Sequence, residues 1–288
     1  MISIIGIGNA GSEIANKFSE IPQYDIYVLN SNVKKNTKNK FKLKSYPTPE
    51  ECEQNIPNLN KFFSNLKNRT QVFIMGASHS SNYTLGILEQ IRDRDIDVFY
   101  IKPDTTLLSG IPRLVENATF GILQEYARSG LFRSFTVFSN EAIEDAHPNI
   151  NLKSYYDTLN ETIFSTVHYL NYFENTEPHI GNMARPSEIS KIRTAGMLNM
   201  KNLEEKWLYE LDVPRDLCYY MCINTERLEK EPGLHKRLVD ILKKKPKNAF
   251  RKISYSIYET PLRDFGFCVA HTNVVQNNQT TLDELDQG

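Results

Sequence analysis

The sequence predicts an α/β protein in three parts: a Rossmann-like domain over 1–150, a long central helix over 151–173, and a smaller α+β domain over 174–275. Three observations carry this reading. The apolar runs YDIYVLN, QVFIMG, DVFYIKP and FRSFTVFSN recur through the first half with helix-like or turn-rich stretches between them. That alternation builds a parallel sheet. Between 151 and 173, Leu152, Tyr156, Leu159, Ile163, Val167 and Leu170 recur at three- and four-residue steps, uninterrupted by Gly or Pro. That is the period of a helix with one apolar face, about 35 Å long at ~1.5 Å per residue. Beyond it, LCYYMCIN, AFRKISYSIYE and FGFCVAHTNVV read as strands around the helical GLHKRLVDILKK.

Composition narrows the function classes. The chain has 288 residues and a formal net charge of −1, so it carries no general electrostatic footprint for nucleic acid or a membrane surface. Nothing approaches the ~20 continuous apolar residues of a membrane span. The opening MISIIGIGNAG has no basic segment or cleavage site of a signal peptide. Cys52, Cys218, Cys222 and Cys268 lack C-x-x-C spacing and His partners, so zinc is not expected. They read as reduced, buried thiols of a cytoplasmic protein.

Taken in order, the chain opens on a short strand, then Gly6, Gly8 and Gly11 in G-x-G-x-x-G spacing, with Asn9 and Ala10 between them and a helix from about Ser12 to Ser19. Glycines in a strand–turn–helix let backbone approach a phosphate, and the helix start presents free N–H groups to it. The strand 24–30 ends in Asn30-Ser31-Asn32, where a nicotinamide-dinucleotide site usually places Asp or Glu. Six lysines follow between Lys34 and Lys44: a solvated loop, or a docking surface for an acidic or DNA-linked partner. One or two short helices are expected over 47–68. The strand 71–76 runs into the turn Gly76-Ala77-Ser78-His79-Ser80-Ser81-Asn82, whose hydroxyls and amides could donate to phosphates or cap the helix that follows. His79 reads there as a hydrogen-bonding neighbour rather than a general base. At the head of the central helix, Tyr156 and Asn160 lie one turn apart, a ring and an amide suited to a purine or to an ordinary helix rim. A loop over 175–186, a short helix over 187–200, and a polar, acidic, disordered tail over 276–288 complete the expectation.

Several of these stretches, in this order, resemble the tubulin/FtsZ superfamily. GIGNAGSEIANKF resembles its first phosphate loop and helix. IKP…SGIPRLVENATFGILQEY…FTVFSN resembles the strand–Pro, E-G-x-x-R helix and Asn-terminated strand of FtsZ, which maps Arg113 and Asn140. Tyr156-x-x-x-Asn160-Glu161 resembles the start of the tubulin core helix, where Tyr stacks on guanine and Asn hydrogen-bonds it. SEISKIRTAGM resembles the FtsZ segment after that helix. The resemblance spans about 1–275. It implies a GTP/GDP-binding cytoskeletal protein, with magnesium, assembling head to tail into a homopolymeric filament. It also implies GTP hydrolysis across the subunit interface, with Glu188 as the catalytic acid.

The sequence departs from that pattern in three places. The family's G-G-G-T-G-[ST]-G loop is here 76–82, keeping only its first Gly. Ser109 replaces the Glu of E-G-x-x-R. Lys191 stands at the second acidic position after the core helix, as in β-tubulin. An ammonium cannot accept a proton from water, so one acid of two remains. Glu188 could equally sit in the first turn of the helix 187–200, where a carboxylate is favourable. An NAD(P)-dependent dehydrogenase, resting on G-x-G-x-x-G, and a nucleotide-independent filament or adaptor protein are the alternatives.

Overall fold

A computed structural model of the chain describes residues 1–181, 183–246 and 251–277. The first half runs β1 (Ile2–Ile7), α1 (Gly8–Lys17), β2 (Tyr24–Asn30), β3 (Lys40–Lys42), α2 (Pro49–Gln54), β4 (Arg69–Met75), α3 (Thr84–Glu89), β5 (Asp95–Lys102), α4 (Gly110–Arg128), β6 (Ser134–Ser139) and α5 (Asn140–Ala146). The central helix α6 spans Tyr155–Glu174. Then come β7 (Ile180–Gly181), β8 (Ile192–Asn199), β9 (Glu204–Trp207), β10 (Asp216–Asn224), α7 (Thr225–Lys230), α8 (Leu234–Lys244), β11 (Lys252–Thr260) and β12 (Phe265–Thr272).

The strands form one sheet in the order β3-β2-β1-β4-β5-β6-β8-β12-β10-β11-β7, with β9 on β8. The pairs from β3 to β6 are all parallel. The second half is mixed: β12 runs antiparallel to β8 and β10, while β10 and β11 are parallel. The two halves meet through two residue pairs, Phe135↔Ile192 and Thr136↔Arg193.

Each face of the sheet carries its own core. On one side α1 and α6 bury Ile14, Ala15, Leu159, Ile163, Val167 and Phe173 against Phe73, Phe99 and Phe138 of the first half and Cys218, Cys222 and Val269 of the second. On the other, α3, α4 and α8 cover alternate residues of the same strands, Val72, Ile74, Val98 and Tyr219 among them. Alternation of side chains across a strand produces this split. α6 therefore packs against strands of both halves. All four cysteines are buried free thiols.

Three expectations change. The helix over 187–200 is instead a loop and the strand β8. This strand lies between β6 and β12 with Ile192 to Gly196 buried in succession, so it shows no period-2 alternation to read. Gly196 belongs there because a Cβ would lie 2.7 Å from the Lys206 carbonyl oxygen. In a helix interior that Gly would cost about 1 kcal/mol. Leu152 and Tyr156 leave the buried stripe: 152–154 is a 3-10 turn, and these side chains are 92% and 71% exposed. Gln276, placed in the tail, is 2% exposed, donates its N–H to Gln124 (2.7 Å) and accepts from its amide. The tail from 278 onward lies outside the described residues.

Candidate functional site

A cavity of about 400 Å³ opens at the carboxyl ends of β1, β2, β4, β5 and β6. That is where open parallel sheets bind ligands. Its walls are Asn9, Ala10 and Glu13 of α1, Asn30 and Ser31 after β2, and Met75, Ser78, His79 and Ser80 after β4. Ile101 of β5, Asn140 after β6, and Tyr156, Leu159 and Asn160 of α6 close it.

Local structure explains how α1 reaches this place. The helix leaves β1 through Gly8, whose φ is +75°. A Cβ on Gly6 would sit 2.2 Å from the Gly11 carbonyl oxygen, and one on Gly11 would sit 2.4 Å from that of Phe73. Gly6 and Gly11 thus let helix and strands close on each other, and neither lines the cavity. Asn9, beside them, does. Its side-chain oxygen accepts from Asn30 and Asn32, both at 2.9 Å. Across the cavity, Asn160 is 6% exposed and donates to Glu13 Oε2 at 2.7 Å. Lys17 ties the same helices by ion pairs to Asp157 (2.7 Å) and Glu161 (2.9 Å). Tyr156 stands at the mouth, its ring edge-on to Tyr155 at 5.1 Å. The Tyr155 hydroxyl donates to Glu144, and burial followed by that carboxylate pushes its pKa up to about 12.

The turn after β4 uses its polar groups on itself. Ser78 Oγ donates to the Met75 carbonyl and accepts from Ser81 N–H. Ser81 Oγ donates to the Ser78 carbonyl at 2.5 Å. His79 Nε2 lies 2.8 Å from the Tyr46 carbonyl oxygen. The Ala77 N–H donates to Glu116 Oε2 (2.9 Å), which also accepts from the Tyr100 hydroxyl (2.5 Å). Glu116 is 1% exposed and its second oxygen has no hydrogen-bond partner among the described residues. Burial raises its pKa, opposed by the Tyr100 hydrogen bond, by Lys102 and by the Ala77 N–H. Gly76 persists because a Cβ would lie 2.4 Å from both Glu116 and Tyr100.

Of the residues singled out from sequence, Asn9, Ala10, Ser78, His79, Ser80, Asn140, Tyr156 and Asn160 converge on this cavity. Gly76, Ala77, Ser81, Asn82 and Arg113 do not line it. Arg113 sits in the first turn of α4. Glu13, Asn30, Ser31, Met75, Ile101 and Leu159 were missed as wall residues. Asn30 and Ser31 had one available signal, their place at a strand end beside the glycine turn.

Glu188 lies at the opposite end of α6, exposed in a turn before β8 rather than in a helix. It borders a cleft of about 740 Å³ with Arg185, Lys191 and Arg193. Beneath lies an ionic network. Asp97, fully buried, accepts from Arg69 (2.6 Å), Arg133 (3.1 Å) and Ser134 (2.6 Å). Glu174 pairs with the same two arginines. Among the described residues no three His, Cys, Asp or Glu side chains converge as a metal site, and no helix is long and apolar enough to cross a membrane.

No family model and no curated protein matches this sequence. Solved structures do match. An empty FtsZ dimer of M. jannaschii superposes with a TM-score of 0.67 at 10% identity, over 98% of this chain and 93% of that one. The GTPγS-form protofilament of TubZ from Bacillus thuringiensis serovar israelensis gives 0.66 at 11% identity, over 94% and 86%. The GDP-bound CetZ1 monomer of Haloferax volcanii gives 0.65 at 15%, over 99% and 97%. Over nearly its whole length the chain has the tubulin/FtsZ fold.

Proposed function

We propose that the chain is a guanine-nucleotide-binding cytoskeletal protein of the cytoplasm that assembles head to tail into filaments. One observation supports this most: Asn9, Asn140, Tyr156 and Asn160 meet at one cavity at the head of the core helix. Its volume lies within the ~300–1,000 Å³ of small-molecule sites. The chemistry favours guanine. Guanine offers N1–H and N2–H₂ donors, and Glu13 together with Asn160 Oδ1 supplies acceptors. Adenine would present an acceptor at N1 to the same carboxylate. Tyr156 supplies a ring to stack on the base. Magnesium would be held chiefly by the nucleotide's phosphates, as is usual for that ion. The TubZ and FtsZ structures, a protofilament and a dimer, support head-to-tail assembly.

Hydrolysis, in this reading, belongs to the interface. Glu188 sits at the end of α6 away from the cavity, so its carboxylate serves the next subunit's nucleotide by orienting water. Lys191 cannot accept that proton. The test is calorimetry with GTP and ATP, followed by phosphate release over a protein concentration series. GTP should bind at least tenfold more tightly than ATP, and the rate per subunit should rise with concentration and vanish in Glu188→Ala. Equal affinities would remove the guanine assignment. A flat rate, or one untouched in Glu188→Ala, would remove the interface chemistry.

A further inference from the structure

A second cleft, of about 560 Å³, adjoins the cavity on the far side of the α1 N-terminus. The two share Asn9, Glu13 and Asn30 as a common wall. Lys34 and Lys35, on the loop that joins β2 to β3, and Lys40, the first residue of β3, line the outer side. All three are exposed, and their ammonium groups make no ion pair among the described residues. Ser12 lines the same cleft. It is 5% exposed, and its hydroxyl has no hydrogen-bond partner among the described residues. A buried, unused hydroxyl beside three unneutralised cations is the composition of an anion site. Glu13 is the one carboxylate in its wall, and it is engaged by Asn160.

The turn after β4 has the opposite character. Its Ser78 and Ser81 hydroxyls are spent on its own backbone, and its Ala77 N–H on Glu116. Phosphates placed there would face a buried carboxylate and few free donors. We propose that the polyphosphate of the nucleotide is neutralised on the β2 side, by Lys34, Lys35 and Lys40 with the Ser12 hydroxyl, rather than by the turn after β4. This rests on the guanine-nucleotide reading of the adjoining cavity.

The experiment compares three probes, GTP, guanosine and inorganic tripolyphosphate, on three proteins. One is the unaltered chain. The second carries Lys34→Gln, Lys35→Gln and Lys40→Gln. The third carries Lys38→Gln, Lys42→Gln and Lys44→Gln, which removes the same charge from the same 34–44 segment away from the cleft. All six side chains are exposed, and unchanged circular dichroism would verify the folds. The cleft triple should lose about tenfold or more in affinity for GTP and tripolyphosphate, and nothing for guanosine. The control triple should lose about twofold or less, by screened long-range charge. Equal GTP losses in both triples, or none in the cleft triple, would overturn the subsite while leaving the guanine reading intact. Absence of GTP and guanosine binding, with tripolyphosphate bound only when the cleft lysines are present, would sink the guanine reading and support the anion site. Failure of all three probes on the unaltered chain would overturn both.

Discussion

The two ends of α6 solve the problem of polar groups near a core in opposite ways. At its C-terminal end, Asp97 is fully buried and saturated by Arg69, Arg133 and Ser134, with Glu174 closing the ring. Every strong interaction there is made within the chain. At its N-terminal end the polar groups lining the cavity are neutral amides, one serine-rich turn and the exposed carboxylate of Glu13, joined by single hydrogen bonds, while the ion pairs of Lys17 with Asp157 and Glu161 lie outside the cavity wall. Neutral amides can exchange one partner for another at a net cost of about 1 kcal/mol. A buried charge cannot, because exposing it unpaired costs several. The difference teaches where a ligand can enter: the N-terminal end is exchangeable, and the C-terminal end is a structural clamp with Glu188 and Lys191 on its rim.

That contrast breaks most visibly at Asp97. Asp97→Ala should lower unfolding free energy by about 3 kcal/mol, since it removes the buried carboxylate of the network and leaves Arg69 and Arg133 only Glu174. Urea denaturation would report the loss, and GTP affinity of the folded fraction should stay unchanged. A stability change under about 1 kcal/mol would mean that the ring is no clamp.

Asn160→Ala should behave the other way round. Removing an amide from the cavity wall should weaken GTP binding by about 1–3 kcal/mol while leaving the denaturation midpoint nearly in place. Calorimetry and urea melts on the same preparation decide it, and a lost midpoint with unchanged affinity would reverse the roles of the two ends.

Acid should strike the C-terminal end first. His271, buried beside Arg193, has its pKa lowered to about 3, by burial first and by that guanidinium second. Below pH 6.5 the unfolded chain takes up a proton there that the folded chain refuses until about pH 3. Stability should therefore fall by about 1.4 kcal/mol per pH unit through that window from this group alone. His271→Gln should flatten the slope in melts from pH 7 to 5. An identical slope in the variant would place the acid sensitivity elsewhere.

The smallest effect belongs to Tyr156. Its ring is mostly exposed, so Tyr156→Ala should leave stability alone and weaken GTP by about 1 kcal/mol, the worth of a stacked pair beyond its burial. Tyr156→Phe should restore it, and a failure of that rescue would assign the contribution to the hydroxyl.

Much of this was legible in local pattern. The strands read at 24–30 and 71–76, the glycine turn, the core helix and the pairing of Tyr156 with Asn160 on one face follow from periodicity and turn chemistry, which act between residues a few positions apart. Other features required contacts that no window of sequence contains. β8 reads as a helix start until the sheet places it between β6 and β12 with both its faces buried, which erases the alternation. Nothing in the sequence marks Glu116 as a partner of the turn after β4, and only packing places it under Ala77. Glu13 is an exposed helix residue, and only the fold brings Asn160 to within 2.7 Å of it, across 147 positions. Local propensity is decided by dihedrals and neighbours. Burial, partner choice and the sharing of a wall by two cavities are decided by chain closure, whose free energy is set by surfaces that meet only in the folded state.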